Sequence, residues 1–259
     1  MFWKSLIYFP KSEISNDFHR ESAIVSGYQT LIKNINHKFY DSMKSNVYFV
    51  SGIDTDAGKS YATGYLAREW SSKGISTVTQ KFIQTGNTDM SEDIELHRRI
   101  MGCGLLPEDL ERITMPEIFT YPCSPHLAAE IDGREIDFGK IEDATDTLSE
   151  RYDAVLLEGA GGLMVPLTRN MLTIDYVAQS GYPLVFVTSG KLGSINHTLL
   201  SLEAVKSRGI PLKMVLFNMF PKSEDTTIAD DTRNYIRDYV AREFPDAEYL
   251  TVPVINVQK

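Results

Sequence analysis

Residues 47–60 read Val-Tyr-Phe-Val-Ser-Gly-Ile-Asp-Thr-Asp-Ala-Gly-Lys-Ser. An apolar, β-rich run enters a loop bounded by Gly52 and Gly58, and Gly58-Lys59-Ser60 opens a helical pattern. Strand, glycine-bounded loop, then Lys and Ser at a helix start is the layout of a phosphate-cradling P-loop. The loop N–H groups and the positive end of the helix face the anion. In such a loop Lys59 bridges the terminal phosphates and the Ser60 hydroxyl ligates Mg²⁺. Five residues rather than the usual four separate Gly52 from Gly58, so the motif does not decide the matter alone.

The chain outward from this loop alternates. Apolar, β-rich runs fall at 47–51, 77–83, 154–158, 184–188 and 212–218, with helical patterns at 59–73, 92–101, 138–151, 174–179, 195–207 and 227–243. Near-continuous apolar strands between helices predict an α/β, P-loop NTPase-like fold: a doubly wound, mainly parallel sheet with helices on both faces. Ligands of such sheets lie outside the carboxyl ends of the strands. The residues with chemical potential fall at those ends: the 52–60 loop, Lys81, the Glu158-Gly159-Ala160-Gly161-Gly162 run, Lys191 and Asn218. The Pro- and Gly-rich stretch 102–134 reads as a loop over the sheet edge. Residues 1–45 are polar and patchily aromatic without a sustained period, which sets an N-terminal appendage (1–45) apart from a domain at 46–259. That appendage reads as an outer helix, a tail, or upstream sequence included through a misassigned start codon.

The 259 residues, 42% of them hydrophobic, are enough for a full core. The net charge of −9, with a pI near 5.1, argues against a nucleic-acid binder, which usually carries a basic face. Cys103 and Cys123 form no C-x-x-C pair or zinc spacing and read as reduced thiols of a cytoplasmic protein. No run approaches the ~20 apolar residues of a membrane span. Residues 1–10 lack the apolar core and cleavage site of a signal peptide.

Several residues carry chemistry in this setting. Glu158 ends an apolar strand, where P-loop enzymes place a Mg²⁺ carboxylate, and the glycines after it admit close backbone approach to a ligand. Asp93, taken alone, is a first-turn acid of a helix. Lys81 ends a strand and is either an edge residue or a point charge for a transferring phosphoryl group. Thr85 and Gly86 form a polar turn beyond it. Ser124-Pro125-His126 reads as a helix start. Residues 191–196 read as a helix N-terminus facing the site or as a plain connection, and Asn218 is placed to read a base edge. The histidines, His97 among them, have no metal spacing.

Together these stretches resemble dethiobiotin synthetase, from residue 47 to 253 and in order. The family's longer P-loop, Gly-Thr-Asp-Thr-x-x-Gly-Lys-Thr, is matched by residues 52–60. Its Lys-Pro-x-x-[Ser/Thr]-Gly is matched by residues 81–86, its Glu-Gly-Ala-Gly-Gly by 158–162, its Ser-Pro-His by 124–126, and its Lys-Leu-Gly-x-Ile-Asn-His by 191–197. The resemblance implies that Asp56, Ala57, Gly58, Lys59, Ser60 and Tyr61 wrap the ATP phosphates. It implies that Ser60, Asp93 and Glu158 gather Mg²⁺, that Lys81 is catalytic beside Lys59, and that Thr55 and Thr85 contact the diamine substrate. Glu158, Gly159, Ala160, Gly161, Asn218 and Met219, with Pro253, Val254 and Ile255, are implied nucleotide contacts. Asn196 is implied to reach the substrate of a neighbouring subunit in a homodimer.

The implied reaction uses ATP, CO₂ or bicarbonate and 7,8-diaminononanoate, a diamino carboxylic acid, with Mg²⁺ and without nucleic acid or membrane. Phe82 replaces the family's usual Pro, and Met219 replaces a frequent Asp. The chain ends at Lys259, so a later acidic nucleotide contact of some family members has no counterpart. ATP is the default, with another triphosphate open. The alternatives are a related amide-forming P-loop synthetase or a non-catalytic ATPase switch of the partition type. The first often carries a glutamine-hydrolysing domain with a catalytic Cys; the second carries an additional Lys where this chain has Ile53 and Asp54.

Overall fold

The structure is a computed structural model, and it describes residues 46–220 and 225–255. The expected appendage at 1–45 lies outside the described residues. The central sheet has six parallel strands: β1 (Val47–Gly52), β2 (Thr77–Lys81), β5 (Ala154–Gly162), β8 (Leu184–Ser189), β9 (Leu212–Asn218) and β10 (Glu248–Val252). Their spatial order is β10-β9-β8-β1-β5-β2. Chain order therefore reverses at β1, which is flanked by β5 and β8, and its loop emerges at the switch point where such sheets bind ligands.

The apolar runs are continuous because both sheet faces are covered. Phe49, Leu157, Phe186 and Phe217 enter one core with Ile141, Val177, Leu202 and Ile236. Their strand neighbours Val50, Leu156, Val187 and Leu216 enter the other with Tyr61, Ala62, Leu66 and Ile100. Alternate residues thus point to opposite cores. The helices of the second core are α1 (Lys59–Ser72) and α2 (Glu92–Met101). Those on the first face include α5 (Phe138–Arg151), α6 (Thr173–Ser180), α7 (Ser194–Ser207) and α8 (Thr226–Glu243).

Four expectations are corrected. The strand expected to end at Glu158 runs on to Gly162, so Glu158 lies in its middle and the glycines belong to the strand. The strand expected at 77–83 ends at Lys81; Phe82 and Ile83 are buried in a kink before β3 (Gln84–Thr85), which pairs with β4 (Ile118–Phe119). The stretch 102–134 is not a plain loop: it holds α3 (Pro107–Leu110), β4 and α4 (Pro125–Asp132). β10 was not expected. It is an edge strand with a single partner, and most of its residues are only partly buried, so it needs no apolar run. A hairpin of β6 (Pro166–Thr168) and β7 (Met171–Leu172) completes the fold.

Candidate active site

The P-loop forms as its residue types demand. Asp54 accepts a hydrogen bond from Thr55 N at 2.6 Å, and a 3-10 turn at Thr55–Ala57 leads into Gly58. Gly58 has φ +75°, and an added Cβ would lie 2.1 Å from Asn218 Nδ2, so both conformation and space require glycine. Gly58 is also the N-cap of α1, and no side chain caps that turn. The first N–H groups of α1 thus carry no side-chain acceptor, which suits an anion.

Two strands and two helices bring the charged groups together. Lys81 and Glu158 are register partners on β2 and β5. Ser60 lies in the first turn of α1, and its Oγ is 2.6 Å from Asp93 Oδ1 and 2.8 Å from Glu158 Oε1. Lys81 Nζ donates to Glu158 Oε1 at 2.9 Å and forms an ion pair with Asp93. Asp93 reaches the site because α2 packs tightly on α1: a Cβ on Gly64 would lie 3.1 Å from His97 Cα and from Ile100 Cβ. Ser91 Oγ caps α2, accepting from Ile94 N at 3.3 Å, and fixes the turn that holds Asp93.

Burial sharpens the electrostatics. Desolvation lowers the Lys59 pKa to about 8; the like charge of Lys81 adds to this, and Glu158, Asp93 and Asp54 oppose it. The Lys59 ammonium donates to the Asp54 carbonyl at 2.8 Å. Lys81 is buried too, which alone would lower its pKa, but the Glu158 and Asp93 carboxylates prevail and hold it above the ordinary lysine value. Burial likewise opposes the ionisation of Glu158, and Lys81 and His97 together hold its carboxyl well below the usual range. The site therefore carries an ionised Glu158 against a charged Lys81.

A cavity of about 470 Å³ opens beside these groups. Of the expected site residues, Thr55, Lys59, Ser60, Lys81, Thr85, Asp93, Glu158, Ala160 and Gly161 line it. Ser124 and Pro125 line it as well. Ser124 heads α4 as expected but does not cap it through its side chain; its Oγ pairs with His126 Nδ1 at 3.1 Å. Gly159 faces away: a Cβ there would meet the Phe49 ring at 2.9 Å.

Other expected contacts lie apart from this cavity. Asn218 spends its amide within the protein, on the carbonyls of Ala57 at 3.1 Å and Phe220 at 2.8 Å, and so braces the P-loop. Asn218 and Met219 line a second hollow of about 260 Å³ with Lys191 and Arg233. Lys191 Nζ donates to the Asp56 carbonyl at 3.2 Å, so its loop faces the P-loop and is not a plain connection. Tyr61 ties α1 to the segment after β10: its hydroxyl donates to the Pro253 carbonyl at 3.0 Å and accepts from Ile255 N at 2.6 Å, while Val254 is exposed. The Phe220 ring stacks on Tyr61 at 4.4 Å. Asn196 is exposed at the start of α7.

Residues 46–252 match the family model described as an AAA domain. The chain is 46% identical over 213 residues to the ATP-dependent dethiobiotin synthetase BioD 2 of Pasteurella multocida, covering 82% of this chain and all of that one. This chain belongs to the dethiobiotin synthetase family. BioD 2 of Haemophilus influenzae is 54% identical over 176 residues, 68% of this chain and 92% of that one. BioD of Chlorobaculum tepidum is 52% identical over 194 residues, 75% and 81% of the two chains.

Sequence reasoning missed His97, Thr79 and the buried Arg98–Asp109 pair behind the site. The available signal was spacing: His97 follows Asp93 by four positions and so shares its helix face.

Proposed function

We propose that this chain closes the ureido ring of dethiobiotin from 7,8-diaminononanoate and CO₂ with hydrolysis of ATP. One amine of the diamine adds to CO₂ and loses a proton to give a carbamate. A carbamate oxygen attacks the γ-phosphate of ATP and ADP departs. The second amine then attacks the carbonyl of the mixed anhydride and expels phosphate. The observation that carries this reading is the meeting of Lys81, Ser60, Asp93 and Glu158 beside Lys59 in one cavity. No protein nucleophile is needed, because phosphoryl transfer rests on positioning and charge.

The donor set fits Mg²⁺. Ser60 Oγ has one proton yet faces two carboxylate oxygens, and all three donors are hard oxygens. Among the described residues no group of three or more His, Cys, Asp or Glu builds a cage of its own. Mg²⁺ beside a nucleotide is typically held by one or two carboxylates together with the phosphates. Ser60, Asp93 and Glu158 would hold it, and when bound it offsets charge on the phosphate oxygens. Lys59 and Lys81 supply the remaining positive charge to the transferred group. Thr55 and Thr85, which line the same cavity, orient the diamine and its carbamate. The wrap of residues 56–61 holds the phosphates, and the neighbourhood of Asn218 and residues 253–255 holds the base.

The reading extends to a cytoplasmic homodimer in which Asn196 serves the neighbour's substrate. Leu192 and Leu200, 87% and 64% exposed around the start of α7, support a covered face there. Sedimentation of an active monomer at working concentration would remove that part. The family match beginning at residue 46 supports a domain of 46–259 preceded by an appendage. An equally active chain lacking residues 1–45 is the expected result.

Phosphate release tests the activity. It should require both the diamine and bicarbonate, with a cyclic urea as product. Release indifferent to both and stimulated by a protein or membrane partner would instead mark an ATPase switch.

A further inference from the structure

Glu158 is held from the side away from the cavity. His97 and Glu158 are both fully buried, and His97 Nε2 lies 3.0 Å from Glu158 Oε2. Its other ring nitrogen, Nδ1, lies 3.0 Å from Thr79 Oγ1 on β2. Thr79 Oγ1 already accepts from Arg98 Nη1 at 2.9 Å. Arg98 is itself gripped by Asp109, through Nε at 2.8 Å and Nη2 at 2.7 Å. Asp109 in turn accepts from Thr114 Oγ1 at 2.6 Å and Leu106 N at 2.7 Å.

The Glu158 carboxylate decides which imidazole nitrogen must carry a hydrogen, and Thr79 matches that choice. With Arg98 donating into Thr79, the one hydroxyl proton of Thr79 is available to His97 Nδ1. Nε2 then carries the hydrogen that faces Glu158. The opposite tautomer would set a bare ring nitrogen against an anionic oxygen. Glu158 therefore uses its two oxygens differently. Oε2 is committed to His97, whereas Oε1 points to Ser60 Oγ at 2.8 Å and Lys81 Nζ at 2.9 Å.

We propose that His97 is a positioning residue for the metal site: by holding Glu158 Oε2, it presents Oε1 alone to the Mg²⁺ of the bound nucleotide. Partners behind a metal ligand fix its orientation and contribute to affinity for the ion. The Thr79–Arg98–Asp109 chain is what keeps the ring from turning. The inference rests on the Mg²⁺–nucleotide reading of the site given above.

The test is calorimetric binding of a non-hydrolysable ATP analogue to the full chain, without Mg²⁺ and at graded Mg²⁺. His97→Leu should weaken apparent Mg²⁺ affinity ~10-fold, with metal-free binding of the analogue unchanged. His97→Gln, which keeps an N–H donor, should recover most of that loss. Wild-type Mg²⁺ affinity in His97→Leu, equal losses with and without Mg²⁺, or indistinguishable Leu and Gln variants would each overturn the proposal. If His97→Leu does not fold, Thr79→Val removes the hydroxyl that orients the ring. Weakened Mg²⁺ affinity there sustains the inference, and unchanged affinity overturns it. A wild-type protein whose analogue binding ignores Mg²⁺ would bring down the metal reading itself, a result distinct from a Mg²⁺-dependent wild type with unaffected variants.

Discussion

Lys81 and Glu158 stand opposite each other across the β2–β5 ladder, and their side chains meet at 2.9 Å, at the last residue of β2 and the middle of β5. Parallel neighbours in a sheet lie about 4.8 Å apart, so register alone brings the lysine to the carboxylate. Asp93, delivered by α2, then flanks the same ammonium. A strand pairing and a helix packing together build one charged centre.

Removing the Lys81 charge is the most direct test of that centre. Lys81→Gln should lower turnover by ~10²-fold or more, the scale of losing one electrostatic stabiliser of the transferring group. It should also lower the melting temperature, because breaking a buried pair strands its partner at a cost of up to about 3–5 kcal/mol. His97 and Ser60 still contact Glu158 and soften that cost. Steady-state kinetics beside a thermal melt separate the two effects; near-wild-type turnover would take Lys81 out of the chemistry.

The depressed pKa of Lys59, about 8 against an ordinary 10.5, has a signed consequence. Below pH 8 the folded and unfolded chains both carry the proton, and the penalty of burying the charge is present in full. Between about 8 and 10.5 the unfolded chain still holds a proton that the folded chain has released, so stability from this group rises with pH. A triphosphate beside Nζ restores the charge. Nucleotide binding at roughly pH 8.5 should therefore take up protons, seen as a binding enthalpy that varies with the ionisation enthalpy of the buffer. A buffer-independent enthalpy would contradict the assignment.

Tyr61→Phe deletes the hydroxyl that holds both the Pro253 carbonyl and the Ile255 N–H. The expected cost is about 1–2 kcal/mol, since two backbone groups lose their partner. Hydrogen exchange should show loss of protection at Ile255, accompanied by weaker nucleotide affinity. Unchanged exchange there would mean that the hydroxyl does not anchor this segment.

Gly64 sets how closely α2 approaches α1. Gly64→Val places carbon where the His97 Cα and the Ile100 side chain already lie about 3.1 Å from a Cβ position. Overpacking of this kind costs typically ~1–3 kcal/mol, and here it also moves Asp93 away from Ser60. Turnover should fall well beyond what the loss of folded protein explains, as measured by active-site titration of the folded fraction. A stable variant of full activity would show that the spacing of the two helices does not set the site.

The sequence was informative where local chemistry repeats a fixed pattern. Five of the six central strands were legible: the interior four are covered on both faces, and β2, though at the sheet edge, is buried along its whole length. The P-loop, Lys81 and Glu158 were legible because the ends of apolar runs and the glycine spacing announce them. β10 was not, since most of its residues are only partly buried and it tolerates polar residues. The helix at Pro125–Asp132 was legible at its start, from Ser124-Pro125, but not in its extent.

By itself the sequence determined the α/β class, the order of five central strands and six of the helices, and the residue types that can grip a triphosphate. Only the tertiary structure decided that Asn218 braces the P-loop, that Gly159 turns toward the core, and that His97 stands behind Glu158. The physical reason is that local pattern fixes which face of an element a side chain takes. Which partner waits on that face depends on strand order and helix spacing, set by contacts between residues as far apart as His97 and Glu158.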